Sequence, residues 1–128
     1  MHVGETGRSS VTGFNDTPCL DRHKGDTHSV QNGPVAFDGE VTKVLLGAMG
    51  GSELLDPANK RKIVTSKTNA IQTVVWNPGA ANAAKMPEID SHWNTFVCVE
   101  AANCLDQPIH LAPGLSHRSA VSYRSEAL

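Results

Sequence analysis

The carboxylate of Glu100 stands at the end of an apolar run, residues 95–100, with the sequence TFVCVE. Such β-branched and aromatic runs are typical of strands. A carboxylate that a strand carries into an apolar interior loses contact with water, which raises its pKa and makes it a usable proton acceptor near neutral pH. A solvated residue at the rim of a sheet produces the same pattern. These residues alone therefore leave a general base and a rim residue both open.

A second strand-like run, TVVW at residues 73–76, precedes Asn77-Pro78-Gly79 and a loop that leads to Glu100. The strings WNPG, NTFVCVEAAN and QPIHLAPG resemble the C-terminal half of the hexose-6-phosphate mutarotases, also called glucose-6-phosphate 1-epimerases. The likeness covers nearly all of residues 1–128, which we interpret as a single domain. It implies an isomerase of carbohydrate metabolism, of the aldose 1-epimerase type, that interconverts the α and β anomers of a hexose 6-phosphate without a cofactor.

The resemblance also implies roles for individual residues. Glu100 matches the family's catalytic base, and Trp76 and Asn77 of the WNPG string are expected to contact the sugar. Thr42, in FDGEVTKVLL, stands where the family has a sugar-site Asp. The general acid, the His of an H-T-Y-F motif, would fall just before Met1, and the phosphate-binding arginines would lie further upstream. We therefore expect a truncated site with weak or no mutarotase activity.

A non-catalytic protein is the main alternative. A carbohydrate-binding β-sandwich fragment would bind a hexose 6-phosphate without converting it, and a purely structural fragment would bind no ligand. The charged run at residues 60–67 contains Lys60, Arg61, Lys62 and Lys67. It could meet a phosphate, but such a run is more often a solvated edge strand whose lysines discourage further pairing.

The remaining elements predict an all-β fold. Short strands separated by turn signals, about eight in all, are typical of an antiparallel sandwich. We expect strands on either side of an Asp38-Gly39 turn, a polar surface loop over residues 22–33, helical turns at residues 80–86 and a last strand from residue 119. The resembling family folds as a β-sandwich of the galactose-mutarotase (supersandwich) type, about twice as long. A partial sandwich would leave sheet edges uncovered, which favours self-association.

The composition and the net charge of the chain limit the classes of molecule that it could bind. The formal charge of −2 and pI near 6.3 argue against nucleic acid and anionic membranes. The sequence has neither an 18-residue apolar run nor a signal-peptide pattern, and its three cysteines form no disulfide framework, so we expect a cytoplasmic protein. Four residues spaced six apart suggest a zinc site, but structural zinc sites pair ligands two to four residues apart. They are His92, Cys98, Cys104 and His110. We expect no metal.

Overall fold

The computed structural model describes all of residues 1–128, and strands dominate it. The strands are, in chain order, β1 (Ser10–Thr12), β2 (Thr17–Asp21), β3 (Thr27–Gln31), β4 (Val35–Ala36), β5 (Val41–Leu45), β6 (Ser52–Asp56), β7 (Arg61–Thr68), β8 (Gln72–Asn77), β9 (Cys98–Ala102) and β10 (Ala120–Ala127). One short helix, α1 (Gly79–Ala83), and three 3-10 turns (Thr6–Arg8, Pro57–Asn59 and Asp90–Thr95) complete the chain. None of these helices has the length and apolar character needed to span a bilayer.

The strands form two antiparallel sheets of five strands each. The first has the order β10-β7-β6-β1-β4 and the second the order β3-β2-β5-β8-β9. Their facing sides bury a continuous apolar core that includes Val11 and Leu54 from the first sheet and Leu45, Val75 and Val99 from the second. Side chains alternate between the two faces of a strand, so the residues between these core positions point outward. The predicted all-β sandwich is confirmed.

Several predicted boundaries are wrong. The polar segment 22–33 contains β3, whose pairing with β2 outweighs its composition. The strand predicted at residues 95–100 begins only at Cys98, because residues 90–95 form a 3-10 turn, so Glu100 is central in β9. Residues 35–36 and 41–45 do form strands, but they belong to different sheets and the Asp38-Gly39 turn crosses between the layers.

The basic strand β7 is not a solvated edge. It pairs with β6 on one side and with β10 on the other. The ammonium of Lys62 lies between two carboxylates on these neighbours, 2.9 Å from Glu53 and 3.4 Å from Glu126. Cross-strand pairs of opposite charge stabilise a sheet, and here they explain why a run of cations is accepted in a central strand.

The first three residues extend the second sheet. The amino group of Met1 donates to the carbonyl of Val97 at 2.6 Å, and the Val97 amide donates to the Met1 carbonyl at 2.9 Å. His2 forms an antiparallel bridge with Phe96, and the Val3 amide donates to the carbonyl of Thr95. The segment that leads into β9 is thereby held from its outer edge.

Asp56 joins the start of the chain to the turn before β7. Its side chain is completely buried and accepts hydrogen bonds from the Gly4 amide (3.1 Å), Asn59 (2.8 Å) and the Arg61 guanidinium (3.0 Å). Burial raises the pKa of Asp56, but the hydrogen bonds from Asn59, Gly4 and Arg61 outweigh it and leave the pKa lowered. The ionised form therefore stabilises the folded chain.

We expect Asp56→Asn to lower the free energy of unfolding by about 2 kcal/mol at neutral pH, since hydrogen bonds to a charged group are lost. Because the folded pKa of Asp56 is lowered, the wild-type advantage is present above the ordinary aspartate pKa and disappears as the pH falls through the lowered one. Urea unfolding at several pH values measures both variants. Asp38→Asn, at an exposed turn, is the matched control and should change little. A pH-independent difference for Asp56→Asn would contradict the prediction.

Candidate functional site

The outer face of the second sheet collects most of the residues singled out in the sequence. Residues directly opposite each other in antiparallel strands share a face. Thr42 pairs with Trp76, and Trp76 pairs with Cys98. In the next row Val74 pairs with Glu100. Thr42, Trp76 and Glu100 therefore project from the same side, away from the core.

Glu100 is exposed, contrary to the desolvated carboxylate that the apolar run predicts. Its strand β9 lies at the edge of the sheet, so β8 flanks the side chain on one side only. The cleft that Glu100 borders, between the sheets, has a volume of only about 10 Å³, far too small for a sugar. Any sugar at Glu100 would have to lie on the open outer face.

Trp76 provides the flat apolar surface on this face. The ring is half-buried and packs against Phe96, with 5.9 Å between the ring centroids and 47° between the ring planes. Thr42 lies beside it on β5 and is also half-buried. A hydroxyl next to an aromatic ring can bind a hydroxyl-rich ligand, but Thr42 has no carboxylate to offer where the resembling family has Asp.

Asn77 points to the opposite side of the sheet from Trp76. It is fully buried, and its amide nitrogen donates to the carbonyls of Trp93 and Phe96, both at 2.8 Å. The Thr6 hydroxyl donates to the same two carbonyls at 3.3 and 3.2 Å. No part of the Asn77 side chain is open to a ligand, so in this structure it fixes the backbone before β9 and does not contact a sugar.

The backbone conformation at Gly79 explains why the WNPG string ends in glycine. Its φ of +63° is unfavourable for residues with a side chain, and a Cβ there would lie 2.6 Å from the amide nitrogen of Glu40. The glycine lets α1 approach the turn before β5. The Asn77 side-chain oxygen accepts from the Gly79 amide at 2.9 Å, which ties the two positions together.

The segment after β9 crosses the outer face beside Glu100. Gln72, fully buried, accepts hydrogen bonds from the amide and the thiol of Cys104 and donates to Asp106 at 3.2 Å. Burial raises the pKa of the Cys104 thiol; Asp106 and Glu100 raise it further and Arg22 lowers it.

Lys67 lies under the same edge. Its ammonium donates to the carbonyl of Gln72 and, at 2.7 Å, to the Thr73 hydroxyl. Burial lowers the pKa of Lys67 to about 8. Because both acceptors belong to the start of β8, this lysine joins the two sheets and is not the phosphate contact considered for the basic run.

Two named proteins are similar to this chain over most of its length. No protein-family model matches the chain. A Cenchrus ciliaris protein named "Putative glucose-6-phosphate 1-epimerase" is 30% identical over 122 residues, which cover 94% of this chain and 37% of that protein. An Escherichia coli (strain K12) protein of the same name is 28% identical over 123 residues, 90% of this chain and 42% of its own length.

A solved structure agrees. A crystal structure of a "putative mutarotase (YeaD)" from Salmonella typhimurium superimposes with a TM-score of 0.72 at 27% identity, covering 77% of this chain and 34% of that one. The chain is thus similar to part of proteins named glucose-6-phosphate 1-epimerase and mutarotase. It spans less than half the length of the curated relatives it matches.

A second polar site lies at the FDGE turn, and the sequence did not predict it. The FDGE turn lines a cavity of about 410 Å³ with Asp21, His23 and Lys24. The His23 ring lies 2.9 Å from the Glu40 carboxylate, which also accepts a hydrogen bond from Asn82. His23 belongs to the segment 22–33 that the sequence predicts as a polar surface loop, and nothing in the sequence indicates that helix α1 would bring Asn82 to this turn. The cavity adjoins Val41 and Lys43, which alternate with Thr42, so it is separate from the outer face.

No group of three or more His, Cys, Asp or Glu side chains is arranged to hold a metal ion. All three cysteines are free. The outer face thus offers the mutarotase-like chain a carboxylate, an aromatic ring and a hydroxyl, which are suited to proton transfer and to binding a sugar ring.

We expect Asn77→Ala to lower the free energy of unfolding by about 2 kcal/mol, because the three hydrogen bonds of this buried side chain are lost while the Thr6 hydroxyl stays within hydrogen-bonding distance of the two carbonyls. Urea unfolding gives the change, with the exposed Asn94→Ala as the control. If Asn77 instead contacted a sugar, the variant would keep its stability and lose affinity, which a titration with glucose 6-phosphate would reveal.

Proposed function

We propose that residues 1–128 form one domain that corresponds to the C-terminal portion of a hexose-6-phosphate mutarotase and carries the base of its active site. The observation that carries this proposal is the shared outer face of Thr42, Trp76 and Glu100 in a chain related to proteins named glucose-6-phosphate 1-epimerases. The ligand is a hexose 6-phosphate. Its ring stacks near Trp76, and its anomeric hydroxyl lies at Glu100.

The reaction is the interconversion of α and β anomers. The Glu100 carboxylate takes the proton from the C1 hydroxyl while an acid protonates the ring oxygen. The bond between C1 and the ring oxygen then breaks, and an open-chain aldehyde forms. Rotation about the C1–C2 bond and ring closure, with both protons returned, give the other anomer. Acid–base assistance of this kind accelerates a reaction by roughly 10²–10⁴-fold. No metal or organic cofactor takes part.

The group that this site lacks is the general acid that would protonate the ring oxygen. By register, His2 faces the same side as Glu100 but lies opposite Phe96, so its backbone is about 13 Å along the strand from that of Glu100. His2 also follows the position of the family's motif His, so the resemblance does not assign it the role of the acid. We therefore propose that the chain by itself has little or no mutarotase activity and that its site is half of a complete one.

A non-catalytic role is the second candidate. The exposure of Glu100 favours it, since a solvated carboxylate is a weak general base. In that case the outer face binds a hexose 6-phosphate and releases it unchanged. A titration followed by fluorescence, in a Trp93→Phe background so that Trp76 alone reports, separates a sugar-binding protein from a structural fragment.

The cellular compartment and the binding partners of the protein are part of the same proposal. Three free thiols suit a reducing compartment, and we place the protein in the cytoplasm. We further propose that the chain self-associates through free sheet edges such as β10, whose Val121 and Tyr123 are exposed. Neither nucleic acid nor membrane is a partner.

A coupled anomerisation assay on glucose 6-phosphate tests the proposal. We expect the purified chain to give a rate close to the spontaneous one, and any residual enzymatic rate to fall at least about tenfold in Glu100→Gln, because the amide cannot accept the proton. Glu88→Gln, which removes an exposed carboxylate in the turn between α1 and the 3-10 turn at residues 90–95, is the matched control.

Three outcomes are decisive. Turnover close to that of a full-length relative would refute the half-site proposal. A residual rate that Glu100→Gln leaves unchanged would refute the role of Glu100 as base. Absence of any fluorescence change at Trp76 with glucose 6-phosphate would refute sugar binding altogether.

A further inference from the structure

The bend between β3 and β4 contains the pair Asn32-Gly33, the single place in the sequence where an asparagine precedes a glycine. The carboxamide of an asparagine is open to attack by the backbone nitrogen of the next residue, and a side chain on that residue hinders the approach. Asn32 is exposed, and no atom lies within 4 Å of the position that a Cβ of Gly33 would take. The bend therefore presents a carboxamide and an unhindered nitrogen side by side at the surface.

Two side chains form hydrogen bonds with the peptide group that joins Asn32 to Gly33. The Gly33 N–H donates to Oδ1 of Asn15, in the turn between β1 and β2, at 3.0 Å. Nε2 of Gln31 donates to the Asn32 carbonyl at 3.3 Å. The bond to Asn15 holds the proton on the nitrogen. The bond from Gln31 acts in the opposite sense, because it stabilises the negative charge that develops on the peptide group when this proton leaves.

Gln31 is held firmly in place for this role. Its side chain is 7% exposed, and its Oε1 accepts a hydrogen bond from the Lys43 ammonium at 2.6 Å. A charged donor on the oxygen polarises the carboxamide, which makes the nitrogen a stronger donor. Asn15, by contrast, is exposed. The peptide group is thus activated from the interior and restrained from the surface.

We propose that Asn32 is a site of spontaneous covalent modification, which converts it to aspartate and isoaspartate, and that Asn15 sets the rate. The Gly33 nitrogen gives its proton to solvent base and forms a bond to Cγ of Asn32. The bond from Cγ to the carboxamide nitrogen breaks, and this nitrogen takes a proton from water and leaves as ammonia. One water molecule then opens the five-membered succinimide ring, at the former side-chain carbonyl to give aspartate or at the main-chain carbonyl to give isoaspartate. A cavity of about 550 Å³ beside Asn15 and Gly33 admits that water.

The isoaspartate product changes the connection between the two sheets. Residues 32–34 link β3 of the second sheet to β4 of the first. An isoaspartyl linkage runs through the former side chain, so it adds a carbon atom to the main chain and leaves a free carboxylate. Val35, which is 1% exposed and pairs with Val11 of β1, directly follows this link. A longer link displaces β4 from its short pairing with β1. This site does not depend on the proposed sugar chemistry.

The test is incubation of the full chain in mildly alkaline buffer, followed by peptide mass spectrometry and by labelling with an isoaspartyl methyltransferase. We expect Asn32 to convert while the exposed Asn94, which precedes Thr95, stays intact. Asn15→Ala should accelerate the conversion about three- to tenfold, because the hydrogen bond that restrains the Gly33 nitrogen is lost. Asn15→Asp should slow it below the wild-type rate, because a carboxylate accepts the same bond more strongly and opposes negative charge on the nitrogen.

The opposite directions of the two Asn15 variants distinguish a specific restraint from a general loosening of the bend, which would accelerate conversion in both. Asn32→Asp carries the new charge without the altered linkage, so it should keep the Val35 amide signal that the isoaspartate fraction loses. An intact Asn32 after a free peptide of residues 28–36 has converted, or conversion of Asn94 at the same rate, would overturn the proposal. Equal rates in Asn15→Ala and the wild type would overturn the role of Asn15.

Discussion

The antiparallel register that joins β5, β8 and β9 is the constraint on which the outer face depends. Because side chains alternate along a strand, a slip of one residue between β8 and β9 would send Glu100 into the core and bring Val99 outside. The buried Val75 and Val99 oppose such a slip, since they would lose their apolar contacts. The core thus determines which polar residues can act together, although none of them belongs to it.

The register is held in turn by a clamp far from it in sequence. Thr6 and Asn77 both donate to the carbonyls of Trp93 and Phe96, and Met1 pairs with Val97. These contacts join residues 1–6 and the end of β8 to the segment that leads into β9. The motif residue Asn77 is therefore a structural partner of Glu100: its buried amide positions the strand that presents the carboxylate.

The unequal extent of the two sheets gives the fold its open character. β10 reaches beyond β9, and the edge between them leaves backbone groups of β9 and apolar side chains of β10 without cover. The relatives that share this fold are more than twice as long as the matched segment. Glu100 lies on an edge strand of this open region and is exposed, whereas efficient proton transfer favours a carboxylate that is shielded from water.

The sequence by itself determined the all-β class, the strands at β8 and β10 and the kinship of the WNPG and VCVE strings, because these depend on local composition and on short motifs. It also placed Glu100, Trp76 and Thr42 on strands. Only the tertiary structure decided that these three share a face, that Asn77 is buried away from it and that β7 is a central strand. Burial and strand partners come from residues distant in the chain, so no local pattern could reveal that Glu100 lies at an open edge.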